Sequence, residues 1–426
     1  MPGIDIAEPA PLRVLTFTSL FPSAARPRHG IFVETRLRHL VDNCAVDARV
    51  VAPVPWFPFR SPRFGRYAEY AATPRRETRA SGLRVTYPRY LMLPRLGVPF
   101  QPESMAGAAR ADVAALKRGG WAPEIIDAHY LYPDGVAAGL LAHELGIPFV
   151  VTARGSDVNV LARTPGPAAR IMRTIGVAST VIAVSWPLKK ALVELGVAET
   201  KIVVLRNGVD LEVFRLEDKE AARRRLGFGP ERLAICVGNL QPEKGHDLAI
   251  ESLRDLPGFR LVIAGEGPLQ MALTRLARRL GVAGRVSFMP TVTQDRLRHL
   301  YCSADVMLLT STREGWPNVV LESLACGTPV VAVDVGAVRE MLSRADFGRV
   351  VTSRDPVLFA KAVLRAADAP ERREQLRRHA AGFDWTSISR GQFDVMARVL
   401  GRAPHAVAGA DDGAASHLPQ ALRPTA

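Results

Sequence analysis

Short runs of aliphatic and β-branched residues alternate along this chain with stretches in which apolar positions recur every three to four residues. Runs of four to eight bounded by glycine, proline and polar clusters read as buried strands, and the longer 3.6-residue periods read as helices. The first half predicts strands at 12–21, 49–52, 125–128, 148–152, 181–184 and 201–205, with helices at 32–41, 106–117, 136–145 and from Ser185. After a charged connector at 215–225 a second series starts, with strands at 233–237, 260–264, 286–289, 305–310 and 329–333 and helices between them. Alternation of this kind builds parallel sheets with both faces covered. The expected fold class is α/β, two Rossmann-like doubly wound domains facing each other across a cleft. They occupy 1–207 and 208–383; helices at 371–379 and 384–400 follow, and the Ala, Pro, Gly and Asp tail 401–426 carries too little apolar pattern to pack.

The unit at 305–340 holds the most chemistry. A strand runs into the polar loop 311–316, Pro317 suits the first helical position, and the helix stops at Gly327. The free N–H groups of Asn318, Val319 and Val320 then lie at the carboxyl end of a parallel strand, where an anion is favoured. Glu314 and Glu322 flank that point. Residues eight apart in one helix differ by roughly 80° in direction, so only a loop-plus-helix arrangement lets them converge. Anion-binding amides beside carboxylates that accept from hydroxyls describe a site for a sugar nucleotide.

Composition adds the cellular setting. At 426 residues, 48% hydrophobic and 23% charged, the chain is globular and long enough for two or three domains. Cysteines 44, 236, 302 and 326 form no close pair and no metal-ligand spacing, and read as reduced core thiols of a cytosolic protein. Neither a signal peptide nor an apolar run of membrane-spanning length is seen, so the expected location is cytoplasmic, peripheral on the inner membrane face if bound there at all. The net charge of +14 is uneven: residues 51–100 hold nine arginines against Glu69 and Glu77, mixed with Trp56, Phe57, Phe59, Phe64, Tyr67 and Tyr70. Arginine with aromatics suits an anionic headgroup interface; the plainer reading is an insertion of solvated loops.

The 305–340 unit resembles the family 4 retaining glycosyltransferases, whose hallmark is two glutamates separated by seven residues, as in EGWPNVVLESLACGTPVV from Glu314. VGNLQPEKGHDLAI from Val237, LVIAGEGPL from Leu261 and VLRNGVDLEVF from Val204 match in the same order. LFPSAARPRHGIFVE from Leu20 and the FDW at Phe383 also look like the family, so the likeness runs to about residue 400. It implies a GT-B fold, with the acceptor on the first domain, the nucleoside-diphosphate sugar on the second, and the last helix crossing back onto the first.

By that resemblance Glu322 holds the ribose, Glu314 the transferred sugar, the backbone from Gly315 through Trp316, Pro317, Asn318 and Val319 the sugar and diphosphate, and Lys244 neutralises the diphosphate. Gly30, Gly265 and Gly267 are places where the backbone approaches the donor or merely turns. Trp316 either stacks on a sugar or packs its loop. Base recognition falls near 288–291, where Pro290 replaces a common family glycine. Two departures stand out: Asn239 occupies the position of a second diphosphate cation, and Arg154 replaces a histidine near the reacting sugar. Arg154 is therefore expected to supply part of the missing charge.

The implied reaction is transfer of a hexose, with retention at the anomeric carbon, to a carbohydrate or lipid-linked carbohydrate in cell-surface polysaccharide or glycolipid synthesis. Neither a metal nor a cofactor is expected, the nucleotide sugar being substrate, and no Asp-x-Asp pair is present. An anionic membrane surface is an expected partner and nucleic acid is not. The competing readings are a nucleotide-sugar epimerase or phosphorylase on the same fold, and a non-catalytic basic module that binds polyanions.

Overall fold

A computed structural model of the chain describes residues 10–92, 100–344, 347–369 and 373–403. Two mainly parallel sheets carry its two halves. In the eight-stranded first sheet, Leu12–Phe17 lies between Val46–Val51 and Ile125–His129, with Phe149–Ala153, Thr180–Ala183 and Ile202–Val204 continuing outward from the latter. In the six-stranded second sheet, Arg232–Val237 lies between Phe259–Ala264 and Val306–Leu309, and Val286–Met289, Val330–Val333 and Gly348–Val351 extend it outward. The central strands are buried along their length because helices cover both faces.

Each sheet reverses its winding direction beside its first strand. Loops leaving the two strands at such a point diverge, which opens a crevice at their carboxyl ends. In the second domain those strands are Arg232–Val237 and Val306–Leu309, and the loops after them carry Lys244 and Glu314. In the first domain they are Leu12–Phe17 and Ile125–His129.

The helix Trp385–Val399, capped by the Asp384 carboxylate at the N–H of Thr386, returns to the first domain. There Gln392 accepts from Arg36 Nε at 2.6 Å and donates to Asp127 at 2.7 Å, while Trp385 stacks on His39. All four cysteines are buried and free. Among the described residues no helix is long and apolar enough to cross a membrane.

Several elements differ from expectation. The first strand ends at Phe17 rather than residue 21, because Thr18 and Ser19 turn away: the Thr18 hydroxyl accepts from the N–H of Leu20, and the N–H of Ser19 donates to Asp134. Segment 51–100 is more than loop. Arg84–Thr86 joins the first sheet parallel to Val46–Val51, and Arg76–Thr78 closes its edge antiparallel; strands of three residues are too short to show a period of two. Helices Pro167–Val177 and Pro356–Ala367 and strand Gly348–Val351 have no counterpart in the sequence reading. Arg402 pairs with Glu124 and donates to the carbonyl of Ala10 at 3.3 Å, so the chain is held as far as 403; the rest of the expected tail, 404–426, lies outside the described residues, as do 371–372 of the expected helix.

Candidate active site

Lys244 closes a 3₁₀ turn, Pro242–Lys244, that bends into the helix His246–Ser252 at Gly245. Gly245 is left-handed (φ 57°), and a Cβ there would stand 2.3 Å from the carbonyl of Thr310. Only glycine permits both. Lys244 Nζ lies 2.7 Å from Glu314 Oε1, and Ser311 donates to the same oxygen at 2.7 Å. The expected diphosphate cation and the expected sugar-binding carboxylate are thus paired with each other across adjacent strand ends.

Glu322, on the helix Asn318–Ala325, accepts from Tyr301 Oη at 2.9 Å. Burial pushes its carboxyl up to about 7, against the lowering effect of the Tyr301 hydrogen bond. Pro317 is the cap and not the first helical residue, and the N–H of Val320 already donates to its carbonyl at 3.0 Å. The amides left at this helix end are those of Asn318 and Val319.

The facing wall comes from the first domain. A cleft of about 230 Å³ is lined by Arg154 and Ser156 on that side and by Lys244, Glu314 and Gly315 on the other. The walls touch through two glycines: a Cβ on Gly315 would meet the Arg154 carbonyl at 2.1 Å, and one on Gly155 would meet Gly315 Cα at 3.0 Å. Arg206 pairs with Glu340 at 2.9 Å, and Glu340 also accepts the N–H of Trp186 at 2.8 Å.

Arg154 does not extend a free guanidinium toward Lys244. Its Nη1 donates to Asn207 Oδ1 at 2.9 Å, its Nη2 to His129 Nδ1, and its plane lies over Phe32. Accepting at Nδ1 leaves the proton of His129 on Nε2, which faces Asp127 at 3.3 Å. Burial holds His129 down to about 4, so it is neutral. Asn207, itself buried, accepts from both Arg154 and Arg36 and donates to Asn318 Oδ1 at 3.1 Å. One side chain therefore links the buried polar network of the first domain to the first residue of the helix Asn318–Ala325.

The remaining expected positions sort by geometry. Gly30 is left-handed (φ 72°) and its close approach is to the carbonyl of Leu20. Gly265 and Gly267 make room for the carbonyls of Gly238 and Leu240, so loop packing accounts for all three without a ligand. Trp316 is buried, packed on Phe383 with the Arg206 guanidinium above it; packing its own loop is the arrangement observed, not an exposed sugar platform. Asn239 is exposed, and its carbonyl accepts from the N–H of Gln241 at 2.9 Å and lies 3.3 Å from His246 Nε2. Asp157 accepts from the N–H groups of Leu131, Arg154, Gly155 and Val158, and so shapes the cleft loop. Asn207, Tyr301 and Glu340 were not foreseen. For Asn207 the signal was present, an Asn-Gly turn at a strand end, but its contacts lie 53 and 111 residues away in sequence. Among the described residues no three His, Cys, Asp or Glu side chains gather as a metal-binding group.

The chain matches two family models, Glycosyltransferase Family 4 over residues 27–213 and Glycosyl transferases group 1 over 218–383. It is 32% identical over 392 residues, 90% of this chain and 95% of the relative, to the protein of Bacillus subtilis assigned to teichuronic acid biosynthesis as the glycosyltransferase TuaC. A D-inositol 3-phosphate glycosyltransferase of Acidothermus cellulolyticus is 34% identical over 68% of this chain and 70% of its own. Among solved structures, the sucrose-phosphate synthase of Thermosynechococcus elongatus superposes with a TM-score of 0.73 at 18% identity, covering 92% of this chain and 99% of that one. Anabaena HepE in complex with UDP gives 0.69 at 18% identity, over 91% and 100%. With two Rossmann-like sheets meeting at a cleft and both halves matched in order, the chain belongs to the group 1 glycosyl transferases of family 4 and has the GT-B fold.

Proposed function

We propose that this glycosyltransferase moves a hexose from a nucleoside diphosphate to a carbohydrate or lipid-linked carbohydrate acceptor with retention of anomeric configuration, in the synthesis of a surface polysaccharide or glycolipid, working against an anionic membrane face. The observation that carries the reading is the Lys244–Glu314 pair at 2.7 Å on the rim of the inter-domain cleft, with Glu322 on the helix Asn318–Ala325. Sugar hydroxyls that donate to Glu314 take over its role as partner and free Lys244 to turn to the diphosphate. The diphosphate gains negative charge as the glycosidic bond breaks, and Lys244 with the amides of Gly315, Asn318 and Val319 is fixed around it. Such preorganised electrostatics is commonly the largest catalytic contribution.

The departing phosphate oxygen takes the proton of the acceptor hydroxyl on the same face of the sugar, which requires neither a protein nucleophile nor a metal, nor any cofactor beyond the donor. Arg154 acts through Asn207 and His129, holding the facing wall rather than touching phosphate. The HepE neighbour, solved in complex with UDP, supports a donor built on a nucleoside diphosphate. A thermal-shift panel of UDP, GDP and ADP sugars tests donor binding, since a ligand that binds the folded state raises its stability by mass action. NMR of the product's anomeric proton tests retention. An inverted product sinks the mechanism, and stabilisation by no nucleotide sugar sinks the donor assignment. A polyanion-binding module would keep its binding in Glu322→Ala, whereas the transferase loses its donor.

A further inference from the structure

Between strand Val54–Pro55 and the edge strand Arg76–Thr78 the chain forms a spur anchored on the first domain's core by Tyr70, with four further aromatic rings that serve neither core. Phe57 meets Phe59, Phe64 and Tyr67 at 5.9, 5.4 and 5.3 Å between ring centroids, and Phe59 stacks on Phe64. None of these four belongs to a buried hydrophobic cluster or packs against one. The knot holds itself together, and it leaves Trp56 52% and Phe59 56% exposed. The N–H of Trp56 donates to the carbonyl of Tyr90 at 2.7 Å, which sets it beside Leu91, itself 61% exposed. Arg60, Arg63 and Arg66 project around the knot, all exposed, and none of them pairs with a carboxylate among the described residues.

We infer that this spur is a docking surface for an anionic lipid bilayer, with Trp56, Phe59 and Leu91 entering the interface and Arg60, Arg63 and Arg66 meeting phosphate headgroups. Large exposed apolar side chains ringed by uncompensated arginines match the two properties of that boundary, an apolar interior and an anionic surface. A single-stranded nucleic acid fits less well, since bases need free ring faces to stack on. Here Phe64 carries Arg63 on one face and Phe59 against it, and Tyr67 carries Arg66.

Position gives the surface its use. The spur leaves the first sheet just past the carboxyl end of Val46–Val51, on the edge where Ala153 runs into Arg154 and the cleft. Those strands are three places apart in the sheet, roughly 14 Å at about 4.8 Å per strand. A bilayer on the spur therefore lies beside the cleft mouth, where a lipid-linked acceptor enters. This last step rests on the proposed acceptor class; the binding itself does not.

The test is sedimentation of the full chain with phosphatidylcholine vesicles, alone and with about one third phosphatidylglycerol, at low and high salt. Wild type is expected to bind the anionic vesicles only, and to be released by salt. Trp56→Ser with Phe59→Ser should weaken binding at least about tenfold. Neutralisation of Arg60, Arg63 and Arg66 to glutamine should weaken it by roughly 100-fold, taking about 1 kcal/mol for each arginine. Nucleotide-dependent thermal stabilisation, unchanged in both variants, shows that they fold and keep the donor site. Binding that ignores the anionic lipid, survives either set of substitutions, or is displaced by an oligonucleotide overturns the inference. Failure of the wild type to respond to any nucleotide sugar overturns the proposed function and leaves the vesicle result standing.

Discussion

Replacing Gly315 by alanine drives a wedge between the two domains. The new Cβ would sit 2.1 Å from the Arg154 carbonyl, about 1.3 Å short of the 3.4 Å at which ordinary contact begins. Both partners are backbone, so relief comes from separating the walls rather than from a rotamer change. Opening by that amount also stretches the Arg206–Glu340 pair, the Trp186 amide on Glu340 and the Asn207–Asn318 bond, now at 2.9, 2.8 and 3.1 Å. Lys244, Glu314 and Glu322, the groups proposed to hold the donor, all belong to the second domain and stay together. Nucleoside diphosphate affinity, read by titration calorimetry, is expected to change by no more than about threefold, whereas a misplacement near 1 Å costs on the order of 100-fold in the rate of transfer. Gly176→Ala, where nothing lies within 4 Å of the added carbon, is the control. A Gly315→Ala enzyme that transfers sugar at the wild-type rate refutes the view that this closed arrangement is the reacting one.

Three further outcomes follow from the same geometry. Because the Glu322 carboxyl lies near 7, its ionised fraction rises about tenfold from pH 6 to pH 8; donor affinity should rise in proportion, Glu322→Gln should abolish that dependence, and Tyr301→Phe, by removing a bond that favours the carboxylate, should move it to higher pH. His129 and His29 are held near 4 by burial, below the 6.5 of the unfolded chain, so their stabilising effect is complete above pH 6.5 and is lost as pH falls toward 4. Together they set a slope of roughly 2–3 kcal/mol per pH unit in that window, measurable by urea unfolding. Asn207→Ala takes one buried acceptor from Arg154, which keeps His129, and one from Arg36, which keeps Gln392 and the Arg206 carbonyl; it should destabilise the protein by about 3 kcal/mol in denaturation and slow transfer more than it weakens donor binding.

The sequence by itself determined the central elements of both sheets and the polar loops at their ends. Buried parallel strands are continuous apolar runs, so their positions were legible to within a few residues; the glutamates of the 305–340 unit stood out because a strand end, a proline and a glycine mark where a loop must expose polar groups, and Lys244 stood out through the family resemblance. What tertiary structure decided was partnership. That Lys244 and Glu314 pair, that Arg154 turns toward His129 and Asn207, and that Gly315 abuts Arg154 depend on which strands lie side by side and on how two separately folded sheets approach. Glycine in a sequence announces that a backbone comes close without saying to what: at Gly30, Gly265 and Gly267 it is the chain's own loops. The Arg/aromatic segment was visible as composition, yet only the fold showed that four of its rings pack on one another instead of a core, on the edge of the sheet that faces the cleft. Local pattern fixes where a side chain can be buried or exposed, whereas contacts between residues tens to hundreds apart are set by packing that no local period encodes.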